Sequence, residues 1–389
     1  MILLLLPLLL LHHFPHYTFA TSHSLPQLES TDNQLSSVSF VLSHNAGTGY
    51  KKLGSITRYT SFFTNAWLKC QKGSFYDQLH FGARALDLRI TLDDNSELRF
   101  KHGDYTVTEV TFDSAINDAL EWHALNPDEI VMLIPSHLDE DVAELVAQSL
   151  YALNIPVVEC DSLRGVSVSS AISTAGSTLF AFFGDDCTDS NYNSNDLVYC
   201  RDETDIGDDD TGYFTPYQSC TKKEWTQPPF TSLFDYTLEN AVEGSNNNNN
   251  LFQIQGIWQI SHDQVEMGVK SGSTLLKDNT KSDVNLFHAD NVFNNLYDTY
   301  DLNLFSIDNV GHGGLELATN LRHRSNGNVN HKNAVDSYRR RKRAKRAFLV
   351  IFLSSAAVAG IFLLKQRRRR AKKQPNPNPD NFELREVML

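Results

Sequence analysis

The chain has 389 residues, 41% of them hydrophobic, so it can bury a full core and hold one domain of about 250 residues with appended segments. Residues 339–389 hold 15 of its 34 basic and 3 of its 47 acidic residues, which leaves a net charge of −25 on the rest. A region this acidic is repelled by nucleic acid and by anionic bilayers, which argues against nucleic acid as a partner and makes a covalent span a sensible way to hold the region at lipid.

The N-terminal segment is typical of a targeting sequence. Ile2 to Leu11 is an apolar run too short to span a bilayer, and small residues follow near Ala20. We therefore predict a secretory signal peptide over residues 1–20.

The segments that follow alternate between strand and helix patterns. The run over residues 129–135 is continuously apolar, as in a parallel strand covered on both faces, and Phe112, Ile116, Ala119 and Leu120 recur at helical spacing. This alternation predicts an α/β fold with a parallel sheet. The predicted strands cover residues 37–42, 84–90, 129–135, 177–183, 252–260 and 302–308, and the predicted helices cover 111–125, 139–153 and 289–300.

Two histidines, an arginine and an aspartate lie at or near the ends of the first predicted strands. His44 follows its strand by two residues, His102 follows the run "ELRFK", and Asp87 and Arg89 are two apart and so share one face of a strand. Two imidazoles can take and give the protons of phosphodiester cleavage while a cation stabilises the charged phosphorus centre. This pattern points to an enzyme.

Four segments in order, "SHNAGTGY", "GARALDLRI", "FKHGDY" and "LNPDEIVMLIPS", carry a resemblance to a known family. Over residues 36–312 the chain resembles the X domain of phosphatidylinositol-specific phospholipase C, in the small single-domain branch that includes bacterial secreted enzymes. The resemblance implies a distorted (βα)8 barrel of the TIM type, and we place this domain at residues 21–325.

Roles follow from the resemblance, residue by residue. It implies that His44 is the general base for the inositol 2-hydroxyl and that His102 is the acid that protonates the diacylglycerol oxygen, which gives an inositol 1,2-cyclic phosphate. Arg89 matches the arginine that stands where larger eukaryotic enzymes hold calcium. Asp87 resembles the carboxylate that pairs with the acid histidine.

A second carboxylate is expected to orient the base. Asp308, on the last predicted strand, resembles this residue, and Asp263, which also follows a strand, is the alternative. Trp258 is a candidate for stacking on the inositol ring, although a strand tryptophan more often belongs to the core.

One departure from the bacterial pattern concerns metal binding. Asn45 replaces the aspartate that follows the base histidine in the bacterial enzymes, and it matches the calcium-dependent branch instead. Calcium needs about six to eight oxygen ligands, and Arg89 and Pro135 occupy the positions where partners of Asn45 would be expected. We therefore predict a metal-independent site without a cofactor, in which Asn45 contacts substrate.

Five cysteines fit an oxidising compartment. Cys187, Cys200 and Cys220 lie in one polar stretch where a disulfide would close a loop, and Cys70 and Cys160 are the other candidates. The odd count leaves one thiol free. The spacing is too wide for the usual zinc motifs.

The C-terminal part predicts a membrane anchor. Residues 347–364 are 18 uncharged residues with dense basic flanks, which predicts a transmembrane helix between a basic linker, 326–346, and a basic tail, 365–389. Since both flanks are basic, the signal peptide decides orientation, and it places the catalytic domain in the lumen or outside the cell. The linker is either a headgroup anchor or a dibasic cleavage site that would release the domain.

The predicted partner is therefore a membrane phospholipid, either phosphatidylinositol or a glycosylphosphatidylinositol anchor. Two other functions stay open. A glycerophosphodiester phosphodiesterase would need a His-Arg start and a Glu-x-Asp metal motif, where this chain has His44-Asn45 and Asp87-Leu88-Arg89. A membrane-tethered binding module with the same fold and no turnover is the other.

Overall fold

A computed structural model gives the fold of the chain over most of the predicted barrel. The predicted signal peptide, transmembrane helix and basic tail, and Asp263, lie outside the residues it describes. In the described part of the chain, no helix is both long and apolar enough to cross a membrane. The described residues are 25–52, 66–184, 199–200, short helical pieces within 233–241, 251–258, 272–294, 297 and 300–326.

One mixed sheet organises these residues. Seven strands run parallel in the order β6-β5-β2-β1-β9-β8-β7, and β3 and β4 add an antiparallel extension to β2. The strands are β1 Phe40–Ser43, β2 Ala83–Leu92, β3 Leu98–His102, β4 Tyr105–Val107, β5 Val131–Ser136, β6 Leu179–Ala181, β7 Tyr199–Cys200, β8 Leu251–Gln255 and β9 Leu304–Ile307.

Helices pack against this sheet. The segments that pattern analysis assigns to helices at 111–125 and 139–153 are found at Phe112–Leu125 and Glu140–Ala152, and the first begins where Thr111 Oγ accepts a hydrogen bond from the Ser114 amide. The helices are α1 Phe75–His80, α2 Phe112–Leu125, α3 Glu140–Ala152, α4 Val168–Ala175, α5 Leu275–Ser282, α6 Val284–Phe293 and α7 Gly314–Ser325.

The α/β class with a largely parallel sheet is confirmed, and the sheet forms half of a barrel. Among the described residues no pairing joins β6 to β7, so a complete (βα)8 barrel stays a prediction. The predicted strand at 252–260 ends earlier, at Gln255, so Trp258 follows the strand rather than lying within it.

The hairpin β3–β4 was not expected. His102 was predicted to follow a barrel strand, but β3 is antiparallel to β2, with Phe100 opposite Ile90. β3 therefore returns from beyond the carboxyl end of β2, and it carries His102 back toward the level of Arg89. An amphipathic hairpin of this kind is difficult to separate from a parallel strand by pattern alone.

Alternation along the strands divides the apolar residues into two clusters. Leu42, Ala85, Met132 and Leu304 belong to the smaller cluster, on one face of the sheet, whereas their neighbours belong to the larger one. Because side chains alternate with a period of two, the next same-face positions beyond the smaller cluster are occupied by polar groups at the carboxyl ends of the strands. The sheet thus has an apolar interior with a polar mouth.

A buried ion triad lies away from that mouth. Glu129 accepts hydrogen bonds from Arg84 Nε (3.0 Å) and Arg322 Nη2 (3.4 Å), and the Arg84 guanidinium also stacks over Trp122, 4.6 Å from the ring centroid. Arg84 and Arg322 are only 2% and 5% exposed. The triad joins β2, the start of β5 and the last helix.

Replacing Glu129 with Gln should destabilise the fold by about 3 kcal/mol, because it leaves two buried guanidinium groups without their counter-charge. Urea unfolding of the full-length chain measures this difference. Glu121→Gln, at an exposed position on α2, is the control and should change the free energy of unfolding by less than about 0.5 kcal/mol. Equal effects from the two substitutions would contradict a role for the triad in stability.

Candidate active site

Same-face positions on three neighbouring strands bring the polar groups together. His44 follows Leu42 on β1, Asp87 and Arg89 follow Ala85 on β2, and Asp308 follows Ser306 at the end of β9. Since β1 pairs in parallel with both β2 and β9, their carboxyl ends meet at one edge. Local alternation and strand order alone therefore assemble four of the predicted site residues.

His44 is held between a carboxylate and a guanidinium. Its Nδ1 donates to Asp308 Oδ1 (2.8 Å), and its Nε2 accepts from Arg89 Nη2 (2.9 Å). A carboxylate can only accept, so the ring carries its proton on Nδ1 and keeps the Nε2 lone pair for the site. Asp308 therefore has the geometry expected of a carboxylate that orients this ring, and the alternative, Asp263, lies outside the described residues.

Asp87 does not pair with His102, contrary to the prediction. Its Oδ2 accepts from the backbone N–H of Asn45 (2.9 Å) and from Arg89 Nε (3.3 Å), and its Oδ1 accepts from Ser136 Oγ (2.9 Å). Asp87 is 1% exposed, so its charge needs these donors. It holds the Arg89 guanidinium, and with it the turn after His44, in place.

His102 bonds to backbone instead of to a carboxylate. Its Nδ1 donates to the carbonyl oxygen of Leu68 (2.8 Å), and Cys70 Sγ lies 3.7 Å away. Burial lowers the pKa of His102 to about 4, against the Leu68 hydrogen bond, which raises it, and with smaller lowering effects from His44 and Arg89. The proton on Nδ1 leaves Nε2 for a ligand.

The two imidazoles face one another at short range. Their ring centroids are 6.4 Å apart and their planes are nearly perpendicular, at 82°. Arg89, whose side chain is 15% exposed, contacts one of the two rings directly. Two proton-transfer groups and a fixed planar cation thus lie within reach of one phosphate-sized ligand.

The turn after His44 explains the sequence "HNAGTGY". Asn45 has a left-handed backbone, with φ of 48°, a conformation that asparagine tolerates better than most residues. A Cβ at Gly47 would clash with the ring of Phe100 on β3, so glycine lets the turn that carries His44 pack directly on the strand that carries His102. This contact fixes the separation of the two rings.

The Asn45 side chain is a buried polar group of the site without a hydrogen-bond partner among the described residues. It is 1% exposed, and neither its amide nitrogen nor its amide oxygen has a hydrogen-bond partner among the described residues. A buried amide with no partner is costly, so it marks a position prepared for a ligand or water.

Gln71 is a site residue that sequence reasoning missed. Its Nε2 donates to the carbonyl oxygens of His44 (2.9 Å) and Ile307 (2.8 Å), and its Oε1 accepts from the Val310 amide (3.0 Å). It is fully buried. One side chain therefore ties the segment carrying the His44 imidazole to the segment carrying Asp308, a role with no motif to reveal it.

Cys70 is the second missed residue. It is a free, fully buried thiol, and burial raises its pKa well above the usual value, with Asp308 acting in the same direction. Cys160, in contrast, is disulfide-bonded. This agrees with the expectation of an oxidising compartment and one free thiol, although Cys187 and Cys220 lie outside the described residues.

Potential metal ligands meet at one place in the described part of the chain. His44, Cys70 and Asp308 each offer a donor atom, and these atoms lie within 4.8 Å of one another. This mixed nitrogen, sulfur and oxygen set does not suit calcium, which requires oxygen ligands. Asn45 and Arg89 do not complete such a set either.

The structure contradicts the predicted stacking role of Trp258. The side chain is 2% exposed, and its Nε1 donates to Ser282 Oγ (2.8 Å). A buried indole with its N–H group paired offers no open face to a sugar ring, so Trp258 belongs to the core.

No family model and no curated protein matches the chain. Among solved structures it is similar to the phosphatidylinositol-specific phospholipase C of Listeria monocytogenes, at 14% identity over 77% of this chain and 97% of that chain, with a TM-score of 0.47. It is also similar to two structures of the Staphylococcus aureus enzyme. One is a point mutant, at 12% identity over 75% of this chain and 93% of that chain, with a TM-score of 0.48. The other, from work on membrane binding, has 13% identity over 75% of this chain and 95% of that chain, with a TM-score of 0.49. These are enzymes of the class that the sequence motifs resemble; the chemistry of this chain has to come from its own side chains.

The low pKa of His102 has a measurable consequence for stability. Because this pKa, about 4, lies below the unfolded value of about 6.5, the unfolded state binds more protons between these pH values. His102 should therefore make the fold lose stability as pH falls from about 6.5 to about 4. Urea unfolding of full-length wild type and His102→Gln measures this, and the variant should lose less over that window.

His80→Gln, at an exposed position on α1, is the matched control and should follow the wild-type dependence. An NMR titration of the His102 ring in EDTA gives the pKa itself, and added inorganic phosphate should raise it because an anion favours the imidazolium. An unshifted pKa near 6.5 in the phosphate-free protein would contradict the buried environment of His102.

Proposed function

We propose that this chain is a phosphodiesterase that cleaves phosphatidylinositol-type lipids by acid–base catalysis with two histidines. The observation that carries the proposal is the 6.4 Å separation of the His44 and His102 ring centroids, with Arg89 hydrogen-bonded to the first of them. The products would be diacylglycerol and an inositol 1,2-cyclic phosphate.

His44 is the proposed base. Its Nε2 lone pair takes the proton of the inositol 2-hydroxyl, and the oxygen then forms a bond to phosphorus. Asp308, which accepts from Nδ1 at 2.8 Å, stabilises the imidazolium that results. In the empty site Arg89 Nη2 occupies this lone pair, so a bound phosphate has to draw the guanidinium away before the base can act.

His102 is the proposed acid. As the bond between phosphorus and the glycerol oxygen breaks, that oxygen takes a proton from His102 Nε2. Nδ1 stays bonded to the Leu68 carbonyl throughout, so only the protonated ring can donate from Nε2. A phosphodiester anion next to the ring favours that protonated form, which the empty site disfavours.

Arg89 and Asn45 are the proposed phosphate and substrate contacts. The guanidinium presents several N–H donors in one plane, and Asp87 fixes this plane through Nε. The unpartnered amide of Asn45 is a further hydrogen-bonding group at the same mouth. A fixed cation of this kind supports chemistry that does not require calcium.

The compartment is part of the proposal. A signal peptide over residues 1–20 and a transmembrane helix over 347–364 would make this a single-pass membrane protein with its catalytic domain in the lumen or outside the cell. The disulfide at Cys160 supports an oxidising environment. Because phosphoinositides are concentrated on cytosolic leaflets, glycosylphosphatidylinositol anchors then become a substrate class beside phosphatidylinositol.

Full-length chain should hydrolyse phosphatidylinositol vesicles in the presence of EDTA and release the cyclic phosphate. His44→Ala and His102→Ala should each lower kcat by at least about 10²-fold, since each removes one proton-transfer group. Arg89→Lys should also lower kcat, because lysine keeps the charge and loses the planar set of donors. His80→Gln is the control and should retain wild-type activity.

The three functions left open by the sequence give different results in this assay. Activity that EDTA abolishes would indicate a metal-dependent phosphodiesterase of the glycerophosphodiesterase kind. Absence of activity in folded wild type, with retained lipid binding, would indicate a non-catalytic binding module. Either result contradicts the proposal.

Exposure to the lumen or exterior predicts activity on anchored proteins. Full-length chain incubated with membranes that carry a glycosylphosphatidylinositol-anchored reporter should release the reporter, and His44→Ala should not. Hydrolysis of free phosphatidylinositol with the reporter left on its membrane would contradict the anchor as a substrate and leave the lipid activity in place.

A further inference from the structure

We propose that His44, Cys70 and Asp308 form a binding site for Zn²⁺, and that zinc bound there inhibits the enzyme. The three donor atoms lie within 4.8 Å of one another, and all three residues are at least nine-tenths buried, at 8%, 0% and 1% exposure. The inhibition rests on the proposed function; the binding of the ion does not.

The donor set matches zinc by chemical type. Zinc takes thiolate sulfur, imidazole nitrogen and carboxylate oxygen at about 2.0–2.3 Å, which puts neighbouring ligand atoms about 3.5 Å apart in a tetrahedral site. His44 Nδ1 and Asp308 Oδ1, which are 2.8 Å apart, would separate slightly around the ion, and the wider separations within the 4.8 Å set would close by small side-chain rotations. Calcium and magnesium prefer oxygen ligands alone, so this set of donor atoms binds them poorly compared with zinc.

Cys70 already belongs to the network around the two histidines. Its Sγ lies 3.7 Å from His102 Nδ1, and it interacts with the Asp308 carboxylate that also accepts from His44 Nδ1. The thiol therefore lies between the partner of the base and the ring of the acid. Sequence spacing did not indicate this position, because Cys70 is 26 residues from His44 and 238 from Asp308.

Charge balance favours a divalent ion in this buried place. On binding, the Cys70 thiol would release its proton to solvent, and the His44 ring would stay neutral by carrying its proton on Nε2 instead of Nδ1, which leaves one thiolate and one carboxylate against two positive charges. The two negative ligands neutralise the ion, so the low polarity of the surroundings does not oppose it.

Inhibition follows from the proton that the ion displaces. Zinc on His44 Nδ1 would remove the hydrogen bond to Asp308 and leave the ring proton on Nε2, the atom that has to accept the proton of the inositol hydroxyl in catalysis. The thiolate would at the same time hold the ion beside His102, where a positive charge disfavours the protonated ring that acts as the acid.

Metal binding tests the site without an activity assay. Full-length wild type should bind Zn²⁺ in competition with a chromophoric chelator, and Co²⁺ in its place should give the sulfur-to-cobalt charge-transfer band of a thiolate ligand. Cys70→Ser, a near-isosteric change, should remove that band and weaken Zn²⁺ binding by at least about 10-fold. Asp283→Asn is the matched control, since it alters an exposed His–Asp pair, with His312, that has no thiol.

A charge-transfer band that persists in Cys70→Ser, or equal Zn²⁺ affinity in the two proteins, would overturn the site. Thermal unfolding checks that the variant is folded; if Cys70→Ser is not, Cys70→Ala and Asp308→Asn take its place, and each should lower Zn²⁺ affinity.

In the vesicle assay, Zn²⁺ should inhibit wild type reversibly with EDTA, and inhibition of Cys70→Ser, relative to its own metal-free rate, should need at least about 10-fold more Zn²⁺. Zinc binding at Cys70 with no effect on lipid cleavage would overturn the inhibition alone, and lack of cleavage by the metal-free protein would count against the proposed function and leave the zinc site in place.

Discussion

The hydrogen bond from His44 Nδ1 to Asp308 Oδ1 joins the carboxyl ends of the first and last strands of the described sheet, β1 and β9. It can form because these strands are parallel neighbours, so that the residues just beyond their ends meet. Gln71 stabilises the same junction by donating to the backbone carbonyls of His44 and Ile307. On the other side of His44, Asp87 accepts hydrogen bonds from Arg89 and from the backbone N–H of Asn45. The orientation of the base, the position of the cation and the tautomer of the ring all depend on this junction.

The charges of the groups at this junction determine how the site can bind a ligand. The mouth contains two buried carboxylates, Asp87 and Asp308, and one guanidinium, Arg89. A phosphodiester adds a further negative charge and so favours imidazole protonation, whereas burial lowers the pKa of His102 when the site is empty. The same groups that keep the empty site neutralised and hydrogen-bonded must therefore exchange partners when a substrate enters.

Much of this arrangement could be predicted from the sequence, because it depends on local patterns. Alternation places Asp87 and Arg89 on one face, and the apolar run before Ser136 identifies a doubly covered strand. The partners of these residues could not be predicted, since they depend on tertiary contacts: Leu68 with His102, Ser136 with Asp87, and Gln71 with two strand ends. Trp258 illustrates the converse, as a strand-like pattern gave no sign that its chain would leave the sheet after Gln255 and bury the ring.

The central claim is that His44, His102 and Arg89 bind one phosphate together. The most direct measurement is a crystal structure of the full-length chain with myo-inositol 1-phosphate. We expect a single ligand whose phosphate group accepts hydrogen bonds from Arg89 and lies within hydrogen-bonding distance of both imidazoles, with Arg89 Nη2 withdrawn from His44 Nε2. A phosphate bound to one histidine alone, or bound away from Arg89 while that arginine stays on His44, would contradict the account.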